Sequence, residues 1–505
     1  MPRVAVVDLG SNSFRLVVFE WEPGGAWRRT DEIYEPVRIG EGLDASDPPR
    51  LQDEPMGRAL ETLELFAHFC RHLGVADVRP VATSAIRDAD NQAEFLERAR
   101  ARAGMEVRVL SRAEEAYFGY LAAVNTTRLT DGVALDIGGG SMQLVRVGDR
   151  VAADSASWPL GAVRLTERFL AGGSADPKRV AALREHVQSK LAGVAWLEGA
   201  GKSGRLAGIG GTVRNLAAAA MHANGLPGPN VQGFELERGM LDELVEELAE
   251  LEPAARGKVR GIKPERGDVI LAGALVVQAV MEAGGFEALE VTEAGLREGV
   301  FFSTLLEGSD PPLFADVRAA GVRNLAAQYD ADSIHAGHVA ALALGVWDQL
   351  GDAGLHAADP AERELLWAAA MLHDIGVAVD YDDHHKHSRY LILNAGLPGH
   401  SPRETALIAQ MARYHRKGTP SLGDLAALAR RGDEALVLRG AALLRLAEQL
   451  DRARDQHVRA ARVKVREDVV RLTLDAAGDA ALARWSAHRH LGVLERALGR
   501  PVELA

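Results

Sequence analysis

The chain has 505 residues, too many for one hydrophobic core, and its 47% hydrophobic and 26% charged content is ordinary for a globular protein. A formal net charge of -13 argues against a general nucleic-acid binder, although a local basic channel can still hold a polyanion. One cysteine, Cys70, excludes an intrachain disulfide, no apolar run approaches the ~20 residues of a bilayer span, and no charged-then-apolar leader opens the chain, so the expectation is a cytoplasmic protein with no membrane-spanning segment.

The first element is a hairpin over residues 3–19 that carries Asp8, Gly10, Ser13 and Leu16-Val17. Further strand follows over 26–39, then an amphipathic helix over 56–73 with Leu60, Leu63, Phe66 and Ala67 on one face. A strand over 78–82 runs into Thr83-Ser84 and then Arg87, residue types that suit either an anion site or a helix cap beside a solvated arginine. After a helix over 91–102 and a strand over 105–110, Ser111 and Glu114 form a capping-box pattern, which leaves Glu115 without a structural duty on a helix running to about 125.

The stretch that follows, Val133-Ala-Leu-Asp136-Ile-Gly138-Gly139-Gly140-Ser141-Met-Gln143-Leu-Val145, repeats the opening hairpin. The pattern Asp-x-Gly-x-x-Ser-x-x-Leu-Val occurs at Asp8 and again at Asp136, 128 residues later. A carboxylate at the end of a buried strand can hold a hard cation, and glycines after it let backbone N–H groups close around phosphate oxygens. Alone, the glycine run reads equally as a hairpin turn. The duplication favours two facing turns that clamp one phosphate–metal unit.

Helices over 162–170 and 176–197 come next, then a strand over 205–209 that ends in Gly210-Gly211-Thr212 at a helix start, an anion site or a tight turn. An apolar helix over 268–281, a strand over 289–292 and a helix opening at Gly295 complete this part. The expected fold is α/β, with domains at 1–125 and 126–308. Ser309-Asp-Pro-Pro-Leu reads as a linker. Beyond it, 309–457 is helical, with helices over 334–350, 361–375, 405–415 and 441–454, and most of the 16 histidines fall between 335 and 415. Residues 458–505 read as a small α+β domain: a hairpin about a Glu467-Asp468 turn, a helix over 479–498 and a last strand.

With the two Asp-x-Gly turns, Glu114-Glu115-Ala116 and Gly210-Gly211-Thr212 assembled, the sequence resembles the exopolyphosphatase / guanosine pentaphosphate phosphohydrolase family over essentially its full length. The resemblance implies two actin-like (ribonuclease H-like) domains around a cleft, an all-helical HD-type domain and a small C-terminal domain. It implies Mg²⁺-dependent removal of terminal phosphate from inorganic polyphosphate, with hydrolysis of guanosine pentaphosphate to tetraphosphate as the close alternative, in a homodimer. It makes Glu115 the general base, places Asp8, Asp136 and Gly138 at the metal, and gives Ser11, Asn12, Ser13, Arg87, Gly139, Gly140, Ser141, Gly210, Gly211 and Thr212 to phosphate oxygens. The family usually has Glu where this chain has Gln143, and a neutral amide brings no charge to a metal. The HD-type pattern His338, His373-Asp374 and Asp451 implies a second divalent metal in the helical region. Two readings from other classes are an actin-like ATPase and a polyphosphate- or alarmone-binding regulator.

Overall fold

The structure, a computed structural model, describes residues 1–170, 175–329, 331–466 and 468–505. Glu467 of the expected hairpin turn lies outside the described residues. The chain divides into two compact units, one of residues 1–225 and 231–317, the other of 226–230 and 318–505. No described helix is long and apolar enough to cross a membrane.

The first unit holds two sheets. One contains β1 (Arg3–Leu9), β2 (Phe14–Trp21), β3 (Trp27–Glu35), β4 (Asp77–Ala82) and β5 (Arg108–Val109), in the order β3-β2-β1-β4-β5. The other contains β6 (Gly132–Ile137), β7 (Met142–Gly148), β8 (Val151–Trp158), β9 (Arg205–Ile209), β10 (Glu235–Glu237) and β11 (Ala288–Val291), in the order β10-β11-β9-β6-β7-β8. β1 pairs antiparallel with β2 and parallel with β4; β6 does the same with β7 and β9. The sequence repeat is thus a repeat of topology, and its register is kept: Asp8 stands opposite Arg15 as Asp136 stands opposite Gln143. β8 completes the second copy although the sequence analysis assigned no strand there. It is a largely exposed edge strand, so apolar alternation does not mark it.

β1 is apolar on both faces because both are covered. Ala5, Val7 and Leu9 enter a core with the Asp53–His72 and Gln92–Ala103 helices. Val4 and Val6 enter another, shared by Val17, Phe19, Ala134 and Val145 and by the Arg112–Val124 and Leu296–Leu305 helices. Phe19 stacks on Phe301 in this core, with ring centroids 4.3 Å apart. The Ser111–Glu114 capping box starts the Arg112–Val124 helix as expected. Gly299 lets the Leu296–Leu305 helix lie directly on it, since a Cβ there would overlap the carbonyl oxygen of Phe118.

In the second unit, the helices Ser333–Asp352, Pro360–Leu372, His384–Ala395, Pro402–Arg413 and Asp433–Leu450 share one core with β12 (Val458–Arg466), β13 (Val469–Ala476) and β14 (Val502–Leu504). Trp347 is fully buried there. The expected helix over 479–498 is two helices, Ala481–His488 and Leu491–Leu498, and the break lets each turn its own apolar residues inward. The His384–Ala395 helix escaped the sequence reading because its buried face is His384, His385, Ser388 and Ile392, mostly polar.

Replacing Gly299 by Ala forces the helix that carries Arg297 away from the helix that carries Glu115. We expect a loss of about 1–3 kcal/mol of unfolding free energy in denaturant titration. A change within ~0.5 kcal/mol, the range of an uninvolved surface site, would contradict this packing.

Candidate active site

Within the first unit, a cavity lies where the ends of β1 and β6 meet. It is lined by Asp8, the Gly10–Ser13 turn, Glu115, Asp136 and the Gly138–Gly139 turn, among others. The two turns are in van der Waals contact. A Cβ on Gly139 would stand 3.2 Å from the Asn12 Cβ, and one on Gly140 would stand 2.6 Å from the Ser11 hydroxyl oxygen. The Ala162–Phe169 helix fixes the second turn from behind. Its first amides donate to loop carbonyls, Ala162 N to Gly138 O at 3.0 Å and Val163 N to Gly139 O at 2.9 Å. Gly161, just before that helix, has no room for a side chain, because its Cβ would overlap the backbone of Gly139 and Gly140.

Glu115 sits in the first turn of its helix and is 7% exposed. One carboxylate oxygen accepts from Arg87 Nη1 at 2.6 Å and the other from Ser141 Oγ at 3.2 Å. Ser141 accepts in turn from Gln143 Nε2 at 2.9 Å. Gln143 therefore orients Glu115 through Ser141, a task for which an amide N–H is suited and a carboxylate is not. Burial pushes Glu115 above the usual carboxylate range, against the pull of Arg87. Arg87 is not among the residues lining the cavity; it also donates to Leu110 O at 3.1 Å. Removing one partner of so buried a pair costs about 3–5 kcal/mol. Arg87 is thus first the counter-ion of Glu115, whereas the sequence reading gave it to phosphate.

Two further carboxylates face the cavity. Asp8 is raised by burial, against the pull of Arg297, whose Nη1 lies 3.2 Å from Asp8 Oδ2, and of Arg15. Asp136 is pushed up to about 7 by burial and then by the charges of Glu115 and Asp8. Arg15, Arg214, Arg266 and Arg297 line the same cavity. Burial, then the charges of Arg297 and Arg15, pull Arg214 down to about 10. Arginines that lower one another's pKa form a field that a bound polyanion relieves.

Sequence reasoning assigned a role to none of these four arginines. Three had a local signal: Arg15 stands opposite Asp8 in the hairpin, and Arg214 and Arg297 sit in the first turns of helices that follow a strand and a glycine. Of the expected phosphate-binding residues, Ser11, Asn12, Ser13, Gly139, Ser141, Gly210 and Gly211 line the cavity. Gly140 borders a smaller neighbouring cavity. Thr212 does not line the main cavity: its side chain is 1% exposed and fills the space that a Cβ on Gly273 would need.

The model of the Ppx/GppA phosphatase family matches residues 27–308, and that of Ppx/GppA phosphatase, domain III, matches residues 317–491. The chain belongs to the Ppx/GppA phosphatase family. It is similar to the solved Ppx/GppA family member of Aquifex aeolicus, at 28% identity over 61% of this chain and 99% of that one, with a TM-score of 0.53. An exopolyphosphatase-like protein is 27% identical over 61% of this chain and 100% of that one, with a TM-score of 0.55. An exopolyphosphatase from Cytophaga hutchinsonii, 22% identical over 61% of this chain and 98% of that one, shares the fold at a TM-score of 0.54. The two sheets are the actin-like part of the Ppx/GppA fold, followed by the helical region and the small sheet.

In domain III of this Ppx/GppA chain, the structure brings together some of the expected HD-type residues and not others. His373 and Asp374 meet His335, one helical turn before the expected His338. The correction has a simple cause. His338 points to the other side of its helix, where Nε2 donates to Val458 O at 2.9 Å. His335 Nδ1 lies 2.7 Å from Asp451 Oδ2, and its Nε2 lies 2.9 Å from Glu448 Oε2. Among the described residues the tight His/Asp groups lie only here, and none is at the first unit's cavity.

Gly161→Ala displaces the Gly138–Gly140 turn without touching a charged group. A displacement near 1 Å should lower phosphate release by about 10²-fold, with the far-UV circular dichroism unchanged. Wild-type kinetics would show that the turn does not position the substrate.

Proposed function

We propose that the protein is an exopolyphosphatase that hydrolyses the terminal phosphoanhydride of inorganic polyphosphate with Mg²⁺. The observation that carries this reading is the shape and lining of the cavity. Its volume is about 130 Å³, well below the ~300–1,000 Å³ of pockets that engulf a drug-sized ligand. Among the described residues no aromatic side chain lines it, so a nucleobase finds no stacking platform there. The lining supplies hydroxyls, turn amides and four arginines, which suit a run of phosphates alone.

The carboxylates fit a hard cation. The Asp136 carboxylate makes no hydrogen bond among the described residues, and its charge is disfavoured by burial and by two neighbouring acids, a cost that a bound cation removes. Asp136 and Asp8 would hold Mg²⁺ through oxygen, the donor it prefers, with phosphate oxygens completing the shell. The ion supplies neutralisation of charge on the transferring phosphoryl group.

The remaining steps belong to the chain's own residues. The two turns, with Ser11, Asn12, Ser13 and Ser141, hold the terminal phosphoryl group. Arg15, Arg214 and Arg297 neutralise its oxygens and those of the leaving chain. Glu115, its basicity raised by burial and its orientation set by Arg87 and Ser141, takes a proton from the attacking water. The water oxygen bonds to the terminal phosphorus, the bridging P–O bond breaks, and the shortened polyphosphate departs with the bonding pair.

Two outcomes are expected. Glu115→Gln lowers kcat by about 10²–10⁴-fold while the Kd for long-chain polyphosphate stays within twofold; near-normal turnover would remove Glu115 from the role of base. Long-chain polyphosphate exceeds guanosine pentaphosphate and ATP in kcat/KM by at least ~10-fold, the effect of about 1.4 kcal/mol of differential binding. Equal or reversed values would favour the nucleotide as substrate.

A further inference from the structure

We propose that Asp88 is a positioning residue: it holds Arg87 against Glu115, and it is itself anchored by Arg164, on the helix that fixes the Gly138–Gly140 turn. The proposal rests on the reading of Glu115 as the base.

Arg87 ends a one-turn helix, Ser84–Arg87, and Asp88 caps its C-terminus. The backbone there is fixed. Asp88 N donates to Ser84 O at 2.9 Å, and the Gln92 amide donates to Ile86 O at 3.1 Å and to Arg87 O at 3.3 Å. The guanidinium of Arg87 is hydrogen-bonded at one end only. Its Nη1 serves both Glu115 and Leu110 O, while its buried Nε makes no hydrogen bond among the described residues. Asp88 Oδ1 lies 3.6 Å from that Nε, within ion-pair range. A guanidinium is a rigid plane, so a charge that draws its Nε edge also sets the direction in which Nη1 points.

Asp88 needs an anchor of its own, because a carboxylate held by one arginine at that distance can turn to water instead. Arg164 supplies it. Its Nη1 donates to Asp88 Oδ2 at 3.3 Å, and its Nε lies 3.2 Å from Asp44 Oδ2. Arg112 Nη2 brings a third positive charge to 3.6 Å from Asp88 Oδ1. The backbone of Arg164 faces the other way: its N–H donates to Gly139 O at 3.2 Å. One residue thus touches the second turn with its backbone and the carboxylate behind the base with its side chain. The series Gly139, Arg164, Asp88, Arg87, Glu115 sets where the base stands relative to that turn. The side chains of Arg87, Arg164 and Asp88 are 13%, 15% and 18% exposed, so salt screens these pairs less than surface pairs.

The test compares Asp88→Asn, Glu115→Gln and the double variant on long-chain polyphosphate, reading kcat and Kd separately, with far-UV circular dichroism checking the fold. Asp88→Asn should lower kcat about 10–10²-fold, the effect of a misplacement of up to ~1 Å, and leave Kd within twofold. The double variant should turn over within about threefold of Glu115→Gln alone, because a base that is absent cannot be misplaced. Arg164→Gln removes the anchor and keeps the backbone contact; it should lower kcat about 10-fold with Kd within twofold, and it carries the test if Asp88→Asn does not fold. The proposal is overturned if kcat of Asp88→Asn or Arg164→Gln stays within about twofold of wild type, if the loss lies in Kd, or if the effects of Asp88→Asn and Glu115→Gln multiply. Near-normal turnover in Glu115→Gln would overturn the reading of the base and this proposal with it. A large loss in Glu115→Gln beside wild-type kinetics in Asp88→Asn would overturn this proposal alone.

Discussion

Three carboxylates, Asp8, Glu115 and Asp136, are buried around one cavity, and the first unit is arranged to make that tolerable. Arg87 and Ser141 hold Glu115, Arg297 holds Asp8, and the Asp136 carboxylate is left without a hydrogen-bond partner among the described residues. The compensation is incomplete by design of the chain: the acids remain raised and Arg214 remains lowered. A site in that condition gains most from a ligand that brings a cation to the acids and a polyanion to the arginines together. The glycines serve the same end, because only backbone without Cβ lets the two turns approach one another this closely.

The duplicated hairpin was the most legible part of the chain. A strand buried on both faces must be apolar, a turn packed against another turn must be glycine or a small hydroxyl residue, and both constraints were written twice with the same spacing. Glu115 was visible because the capping box accounted for Glu114 and not for its neighbour. What local pattern did not show was long-range. Arg297 meets Asp8 across 289 residues of chain, and Arg87 meets Glu115 across 28. No periodicity encodes such pairs. Thr212 and His338 failed for a related reason: each is the right residue type at the right spacing, but a helix turned slightly about its axis aims the side chain elsewhere. The edge strand β8 and the His384–Ala395 helix were missed where burial is slight or polar, since apolar periodicity is blind to both.

The two units pose opposite problems in coordination chemistry. The first offers oxygen donors and arginines, and among the described residues its acids form no group as tight as those of the second. The second offers imidazole nitrogens whose Nδ1 atoms donate to backbone carbonyls. One chain thus pairs a cleft of carboxylates and arginines with a cluster of histidines, and the sequence separates them cleanly, since histidines are frequent in one unit and scarce in the other.

The central claim is that the first unit's cavity admits the end of a phosphate chain and delivers water to its terminal phosphorus. Hydrolysis of long-chain polyphosphate in ¹⁸O-labelled water, followed by ³¹P nuclear magnetic resonance at low conversion, tests it directly. One ¹⁸O is expected in each released orthophosphate, with the residual chains unlabelled and nearly full-length. Label in the residual chains, or an early spread of mid-length products, would contradict it.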